Sequence, residues 1–435
     1  MNEFSIETFF QIAQLLFIVM SETAIYMIFR DYTNYIRRLT KKLATINILY
    51  VKLFQAIASN KEWVNEETNN ELLKFTDNVP YTFDDIQIES LIEITNDYDF
   101  VLKDGYEKPM NAGMISLVYK AYKKSDNTPM IIKMKRKNID QKLKDAIHNI
   151  QIIVYIYSFF SIYKIADLVE KNIEMILHQT NFQEEVQNIV KMRNNCKHLK
   201  YVKIQEVFTS VTEKYPEFII MEYMEGKKMH EIEEQDYYGF SKQVLKFGLV
   251  TTIHHGCCHG DLHSGNILFI KDDNDEKYPY KIGVIDFGII FEMEQEYKET
   301  LFDLITQLFL REPRESILQV LNSNVIEPPN VFFQIPKEKY ECILDLGTNL
   351  IKEAFIDKKK PSQTQLFTFF SKMKEYLQDS QLLELGIRPS DNFVKTQLVL
   401  AMAHGVTMSL CKDNMTAILE EVMNELFHTD LLFHL

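Results

Sequence analysis

The stretch from His259 to Gly288 constrains this chain more than any other. It reads His259-Gly260-Asp261-Leu262-His263-Ser264-Gly265-Asn266, then an apolar run and a polar turn, then Val284-Ile285-Asp286-Phe287-Gly288. Phosphoryl transfer from a nucleotide asks little covalent chemistry of a protein. It needs a carboxylate near the attacking hydroxyl, ligands for Mg²⁺, and fixed positive charge on the phosphates. Asp261 precedes Asn266 by five positions, and Asp286 follows the apolar run Ile282 to Ile285. On this reading Asp261 is the base or hydroxyl orienter. Asn266 and Asp286 are metal ligands, because carboxylate and amide oxygens suit hard Mg²⁺. Either motif alone reads as an ordinary turn. Both together, in this order and spacing, point to phosphoryl transfer.

A chain of 435 residues, 46% hydrophobic and 25% charged, is globular and long enough for two or three domain-sized units. Its formal net charge of -14 argues against a nucleic-acid partner, which would require a basic face. Cys196, Cys257, Cys258, Cys342 and Cys411 form no C-x-x-C pair, so neither a zinc site nor a disulfide framework is indicated. Reduced thiols fit an intracellular protein. No basic residue precedes Arg30, so neither a signal nor a transit peptide is evident. Thr8 to Ser21 is uncharged for 14 residues, short for a membrane span and suited to a buried helix. Ala146 to Tyr163 is uncharged for 18 residues, but it contains His148, Asn149 and Gln151. Peripheral membrane contact stays open.

Residues 1–78 carry apolar side chains at three- and four-residue spacing without Pro or Gly, which predicts helices. A helix is expected from Asp84 to Thr95. Paired strands are expected at Ser116 to Lys123 and Pro129 to Lys135, across the turn Ser125-Asp126-Asn127. The small-residue loop Asn111-Ala112-Gly113-Met114 could lay backbone N–H groups on phosphates. Lys133, in Met130-Ile131-Ile132-Lys133, stands where a strand lysine would hold them. Two long helices are expected over 139–164 and 166–195. The second supplies Glu185 as the carboxylate for Lys133, with adjacent Glu184 as the solvated competitor. Strands are expected at Val202 to Phe208 and Glu217 to Tyr223. Met221 to Gly226 reads as a hinge, where the backbone around Glu222 and Met224 could meet an adenine. Helix 238–256 leads into the catalytic stretch, and Lys271 to Lys277 reads as a solvated hairpin. The pattern from Phe291 onward is helical.

Taken together, these motifs resemble the UbiB/ADCK (aarF-domain) atypical kinase family over roughly residues 40–310. The family's Lys-x-Gly-Gln helix matches Lys52-Leu53-Phe54-Gln55, and its alanine-rich loop matches Asn111 to Met114. Its strand lysine matches Lys133. Its Glu-Ala-x-Asn helix matches Glu185-Val186-Gln187-Asn188. Its two catalytic motifs match His259 to Asn266 and Asp286 to Gly288. The resemblance implies an α+β, protein-kinase-like two-lobed fold with an added helical N-terminal extension and a helical C-terminal region. The parts would be 1–78, 79–226 and 227–435. It implies ATP and Mg²⁺ as cofactors, kinase or ATPase activity, and for several members support of isoprenoid-quinone or lipid metabolism. Lys52 and Gln55 would face the nucleotide and obstruct a protein substrate. Phe54 replaces the family glycine, the loop has lost most alanines, and Gln179 and Asn181 stand where acids are usual.

Two other readings share the central stretch. Small-molecule kinases of the aminoglycoside or choline phosphotransferase type carry the same loop. The segment Lys52 to Pro80 and the long insert between Lys133 and Glu185 weigh against them. A non-catalytic nucleotide-binding regulator is the third reading, against which Asp261 stands. The acceptor, whether small molecule, lipid or protein, is not named by the sequence.

Overall fold

The computed structural model describes residues 6–47, 50, 79–158, 173, 176–309, 312–328, 331–352, 375 and 385–428. The chain divides into two compact units, Met1–Val190 with Gln205–Tyr223, and Lys191–Ile204 with Met224–Leu435.

The first unit is built on an antiparallel sheet. Strands β1 (Phe100–Leu102), β2 (Asn111–Ala112), β3 (Ser116–Lys123) and β4 (Pro129–Lys135) precede β5 (Val202–Ile204), which belongs to the other unit, and β6 (Phe218–Glu222) closes the order β1-β3-β4-β6. β2 lies beside β3. Successive side chains of a strand point to opposite faces, and the sequence uses both. Leu117, Tyr119 and Ala121 of β3, Met130, Ile132 and Met134 of β4, and Phe218 and Ile220 of β6 form one core with Leu91 and Ile94 of the helix Ile88–Asp97. The alternate residues Val118, Ile131, Ile219 and Met221 pack on Phe182 and Val186 of the helix Phe182–Cys196. Lys133 pairs across the sheet with Val118 and Ile219, so it stands on this second face.

Arg136, the residue after β4, ties the unit together and was not singled out by sequence. Its buried guanidinium donates to the Gly113 carbonyl at 3.0 and 2.7 Å, to the Pro80 and Val79 carbonyls at 3.0 and 3.3 Å, and to Asp85 Oδ2 at 3.1 Å. Burial pushes the Asp85 carboxyl up, but bonds from Thr82, Lys142 and Arg136 outweigh it and hold it below the usual carboxylate range.

Several expected elements differ. The helix from Asp84 is a 3₁₀ turn at Phe83–Asp85 followed by Ile88–Asp97. The long helix over 166–195 breaks at Gln179–Asn181, where the Asn181 side chain accepts the Glu184 N–H and starts Phe182–Cys196 afresh. Val202 to Phe208 is not one strand: β5 ends at Ile204, and Val207 bridges Met221 instead. The N-terminal helix runs Ile6–Phe29, beyond Ser21, because Glu22 is neutralised by Arg38 and Lys42 of the next helix, Tyr32–Ile46. It was expected to be buried, yet only 22% of Phe10–Phe29 is.

In the second unit β7 (Cys257–His259), β8 (Ile267–Lys271), β9 (Tyr280–Val284) and β10 (Ile290–Glu292) make two small sheets, β10-β7 and β5-β9-β8. The polar turn between β8 and β9 is closed by Lys281, which bonds Asp272 at 2.9 Å and Asp275 at 2.8 Å. The helix Tyr237–Val250 packs on Asp391–Cys411, with Gly248 against Ala403. Before β7 the helix loosens into a π turn at Thr251–His255, which Gly256 ends at φ +61°.

If Arg136 holds three carbonyls and Asp85, then Arg136→Ala should cost about 3 kcal/mol, because a buried carboxylate and buried acceptors lose their donor. Arg136→Lys should recover only part, since an ammonium lacks the planar fork. Urea midpoints measure both, and an Arg136→Ala midpoint equal to wild type would contradict the assignment.

Candidate active site

In the first unit Lys133 Nζ lies 2.6 and 2.8 Å from the two oxygens of Glu185. The Glu185 side chain is 2% exposed and that of Lys133 12%, so the pair is sheltered on both sides. Helix geometry explains the choice of acid. Phe182, Val186 and Ile189 are the buried face of their helix, and Glu185 falls between them one turn on from Phe182. Glu184 turns outward to His178 at 3.0 Å. The Phe182 ring also lies under the ammonium, 5.5 Å from its centre.

The loop over Asn111 to Met114 is more constrained than its composition suggested. Asn111 and Ala112 form β2 against Val118 and Leu117. The Gly113 N–H closes onto the Ser116 carbonyl at 2.8 Å, while its carbonyl is held by Arg136. That amide is therefore engaged within the turn, contrary to the picture of a loop with open N–H groups. Ala112 and Met114 are buried. At the expected hinge, the Glu222 N–H donates to the Glu206 carbonyl at 2.8 Å, and its carbonyl accepts the Gln205 amide at 2.6 Å. Met224, in the second unit, is buried against Gly283, where a Cβ would meet its sulfur at 2.5 Å. Lys52 and Gln55, with Phe54, lie outside the described residues.

The second unit carries Asp261, Asn266 and Asp286 in one hydrogen-bonded frame. At its centre is His259, fully enclosed on β7. The Asp261 N–H donates to His259 Nδ1 at 3.1 Å, which leaves the proton on Nε2, directed to the Ile285 carbonyl at 3.2 Å. The Asn266 amide nitrogen donates to the Asp261 carbonyl at 2.9 Å, and the Ile285 N–H donates to the Asn266 carbonyl at 3.0 Å. His263 Nδ1 accepts the Gly265 N–H at 3.0 Å and shapes the turn between. Gly260 allows this loop to approach β10, since a Cβ there would stand 2.4 Å from Ile289. Phe287 is buried against the His259 ring at 5.1 Å, whereas Asp286 is exposed. Asp286 also has φ +61°, with its Oδ1 accepting the Gly288 N–H at 3.3 Å.

The donor set fits Mg²⁺ brought by a nucleotide. With its nitrogen committed to Asp261, Asn266 keeps its amide oxygen for a cation, and Asp286 presents a carboxylate at the surface. The described residues contain no group of three or more His, Cys, Asp or Glu able to hold a metal ion alone. Mg²⁺ characteristically takes one or two protein ligands and completes its shell with water and phosphate oxygens.

Burial holds His259 neutral, below the ordinary imidazole range, although Asp261 and Asp286 pull the other way. The same holds outside the frame. Burial and neighbouring His198 and His254 push His255 down to about 4, and His198 and His254 are themselves lowered by burial. The sign follows. Above about pH 6.5 these imidazoles are neutral both folded and unfolded. As pH falls, the unfolded chain takes up protons that the native state refuses, so stability is lost between pH 6.5 and the depressed native values. His255 alone should cost about 1 kcal/mol on going from pH 7.5 to 5.5. Urea titrations at the two pH values should show the loss, and His255→Gln should reduce it. A dependence unchanged in that variant would rule His255 out.

Comparison with known proteins adds three findings. The family model for the ABC1 atypical kinase-like domain matches residues 74–321. A probable protein kinase UbiB of Shewanella baltica (strain OS185) is 26% identical over 286 residues, covering 63% of this chain and 51% of the relative, and its counterpart in Shewanella sp. (strain MR-4) matches equally. The chain thus spans about half the length of the curated relatives it matches. The solved structure of the Rv3197–erythromycin complex from Mycobacterium tuberculosis superimposes with a TM-score of 0.53 at 16% identity, over 85% of this chain and 90% of that one. The expected fold is present: a mixed, protein-kinase-like core with helical segments before and after it in the chain.

Proposed function

Because the chain belongs to the ABC1 atypical kinase-like family, we propose that it binds Mg-ATP and either transfers or hydrolyses the γ-phosphoryl group. The observation that carries this reading is the His259 frame, which holds Asp261, Asn266 and Asp286 in mutual register through backbone and amide hydrogen bonds. Asp261 orients the attacking hydroxyl or water and accepts its proton. Asn266 and Asp286 hold Mg²⁺, which neutralises charge on the phosphates. Lys133, aimed by Glu185, binds the phosphates. The Asn111–Met114 turn and the backbone around Glu222 and Met224 serve the nucleotide. Lys52 and Gln55 take the guarding role that the resemblance implies, within a functional division into 1–78, 79–226 and 227–435. An acceptor in isoprenoid-quinone or lipid metabolism is the class that the resemblance favours.

Two variants test the assignments separately. Asp286→Asn should abolish the Mg-dependent part of the thermal stabilisation given by ATP while the unliganded melting temperature holds, because the metal loses its charged ligand. Asp261→Asn should keep nucleotide binding and lose at least about a hundredfold in turnover. A Mg-ATP shift that persists in Asp286→Asn would remove the metal role. Equal loss of binding and turnover in Asp261→Asn would make Asp261 structural.

Lys133→Ala and Glu185→Gln should differ in kind. The first removes a phosphate ligand, so ATP affinity should fall. The second leaves an ammonium without its counter-charge, and should lower both affinity and thermal stability. Isothermal titration with Mg-ATP, alongside melting curves, separates them. Wild-type affinity in Lys133→Ala would end the phosphate-binding role.

A further inference from the structure

Glu185 sets how far the Lys133 ammonium lies from a carboxylate, but one carboxylate does not set where on its rim the ammonium sits. Lysine ends in a compact charge on a flexible four-carbon stem. Both carboxylate oxygens lie within reach of Nζ, at 2.6 and 2.8 Å. A second cation stands nearby. Lys135, two residues on, projects from the same face of β4, and its side chain is only 9% exposed. Its ion pairs are long, 3.4 Å to Asp140 and 3.7 Å to Glu217. Two like charges on one strand face push each other aside, and the push grows as water is excluded.

One ring meets both lysines. The centre of the Phe182 ring lies 5.5 Å from Lys133 Nζ and 5.6 Å from Lys135 Nζ. The negative face of an aromatic ring attracts a cation, more strongly where solvent is excluded. Phe182 is 1% exposed and packs with Ile131, Ile219, Met221 and Val186, so the ring is held in place. It opens the helix Phe182–Cys196 one turn before Glu185, and residues three apart share a helix face. That helix therefore offers Lys133 a carboxylate and a ring together. Packing alone asks for no ring here, since Val186 of the same helix meets the same sheet face with an aliphatic side chain. Lys135 has the other claim on the ring, but Asp140 and Glu217, whose side chains are 50 and 39% exposed, draw its ammonium toward solvent.

We propose that Phe182 is a positioning residue for Lys133. Its ring holds the ammonium at the Glu185 carboxylate against the repulsion of Lys135, so that the cation stands ready when the phosphates of a nucleotide arrive. This role depends on Lys133 binding phosphates, as proposed above. An ammonium in place only part of the time weakens binding in proportion to that fraction, and pre-organisation removes the loss. A leucine at position 182 would keep much of the apolar packing and lose the attraction for the cation.

The test keeps the shape of the ring and removes its charge. In the full chain, phenylalanine analogues with one, two and three ring fluorines are installed at position 182 by nonsense suppression. Fluorine draws electron density off the ring face at nearly constant volume, so the core stays packed while the attraction for an ammonium falls. Mg-ATP affinity, read by isothermal titration, should drop stepwise, about fivefold in all, with little change in melting temperature. Phe182→Leu should lower affinity by about the same factor in the wild-type chain and in Lys135→Met. It should add nothing to the loss in Lys133→Ala, because the ring acts through that lysine. Affinity indifferent to fluorination, while Lys133→Ala is weakened, would remove Phe182 and leave the phosphate-binding role of Lys133 standing. A Phe182→Leu loss that persists in Lys133→Ala would reduce the ring to packing, and one that vanishes in Lys135→Met would assign it to Lys135. Wild-type affinity in Lys133→Ala would end the phosphate-binding role and this proposal together.

Discussion

One buried imidazole sets the geometry of the second unit's candidate site. His259 accepts a hydrogen bond from the Asp261 N–H and donates one to the Ile285 carbonyl, so a single neutral tautomer satisfies both groups. A protonated ring could not accept from Asp261, and the other tautomer would oppose donor to donor. Burial therefore selects the neutral form, and the hydrogen bonds select which nitrogen carries the proton. Because Asp286 follows Ile285 directly, the same ring fixes the spacing between the loop that carries Asp261 and the strand end that carries Asp286. Asn266 then closes the frame by bonding to the Asp261 carbonyl and accepting from Ile285. Asp286 is thus positioned by bonds of its neighbour Ile285, while Asn266 is held by its own side-chain amide.

The first unit meets a different constraint. A buried ion pair loses hydration on both partners, and apolar residues of similar volume are often as stable or more so. Lys133 and Glu185 are accordingly poor candidates for a purely structural device. Arg136 contrasts with them. Its guanidinium spends its donors on carbonyls and on Asp85, and so joins the Val79–Pro80 segment, the Gly113 turn and the 3₁₀ turn at Phe83–Asp85. A planar fork with several donors suits that task, whereas a lysine supplies one compact charge that a phosphate could share with a carboxylate. The two cations, three residues apart, thus differ in kind: Arg136 joins backbone segments, whereas Lys133 pairs with the Glu185 carboxylate.

How much of this was legible in the sequence depended on whether the signal was local. β3 and β4 occur at the residues that their β-branched and aromatic content indicated, and the sequence spacing of Asp261, Asn266 and Asp286 singled out the loops that share the His259 frame. The choice of Glu185 over Glu184 follows once Phe182 and Val186 are known to face the sheet. The rest was set by partners remote in sequence. Asn181 looked like one more polar residue inside a helix, and only its bond to the Glu184 N–H shows that it begins a new one. Glu22 ended an uncharged run on paper, yet Arg38 and Lys42 remove its cost and the helix continues past it. Arg136 gave no periodic signal, because a charged residue after a strand is normally solvated. The engagement of the Gly113 amide by Ser116 could not be read from a loop that looked open.

Asp286 shows how strain and exposure are linked. A non-glycine residue at φ +61° is disfavoured by roughly 1 kcal/mol or more, less for Asp than for most residues because a short polar side chain can bond locally. Here that bond runs from the Gly288 N–H to Oδ1. The conformation has to be imposed from both sides. Ile285 is pinned by Asn266 and His259, while Phe287 is buried against His259. A chain running from one pinned residue to the next must turn at the position between them, and the left-handed turn directs the Asp286 carboxylate outward while Phe287 stays in. Glycine would adopt this backbone at lower cost but would bring no carboxylate. What aspartate brings to a position whose backbone favours glycine is therefore an exposed carboxylate.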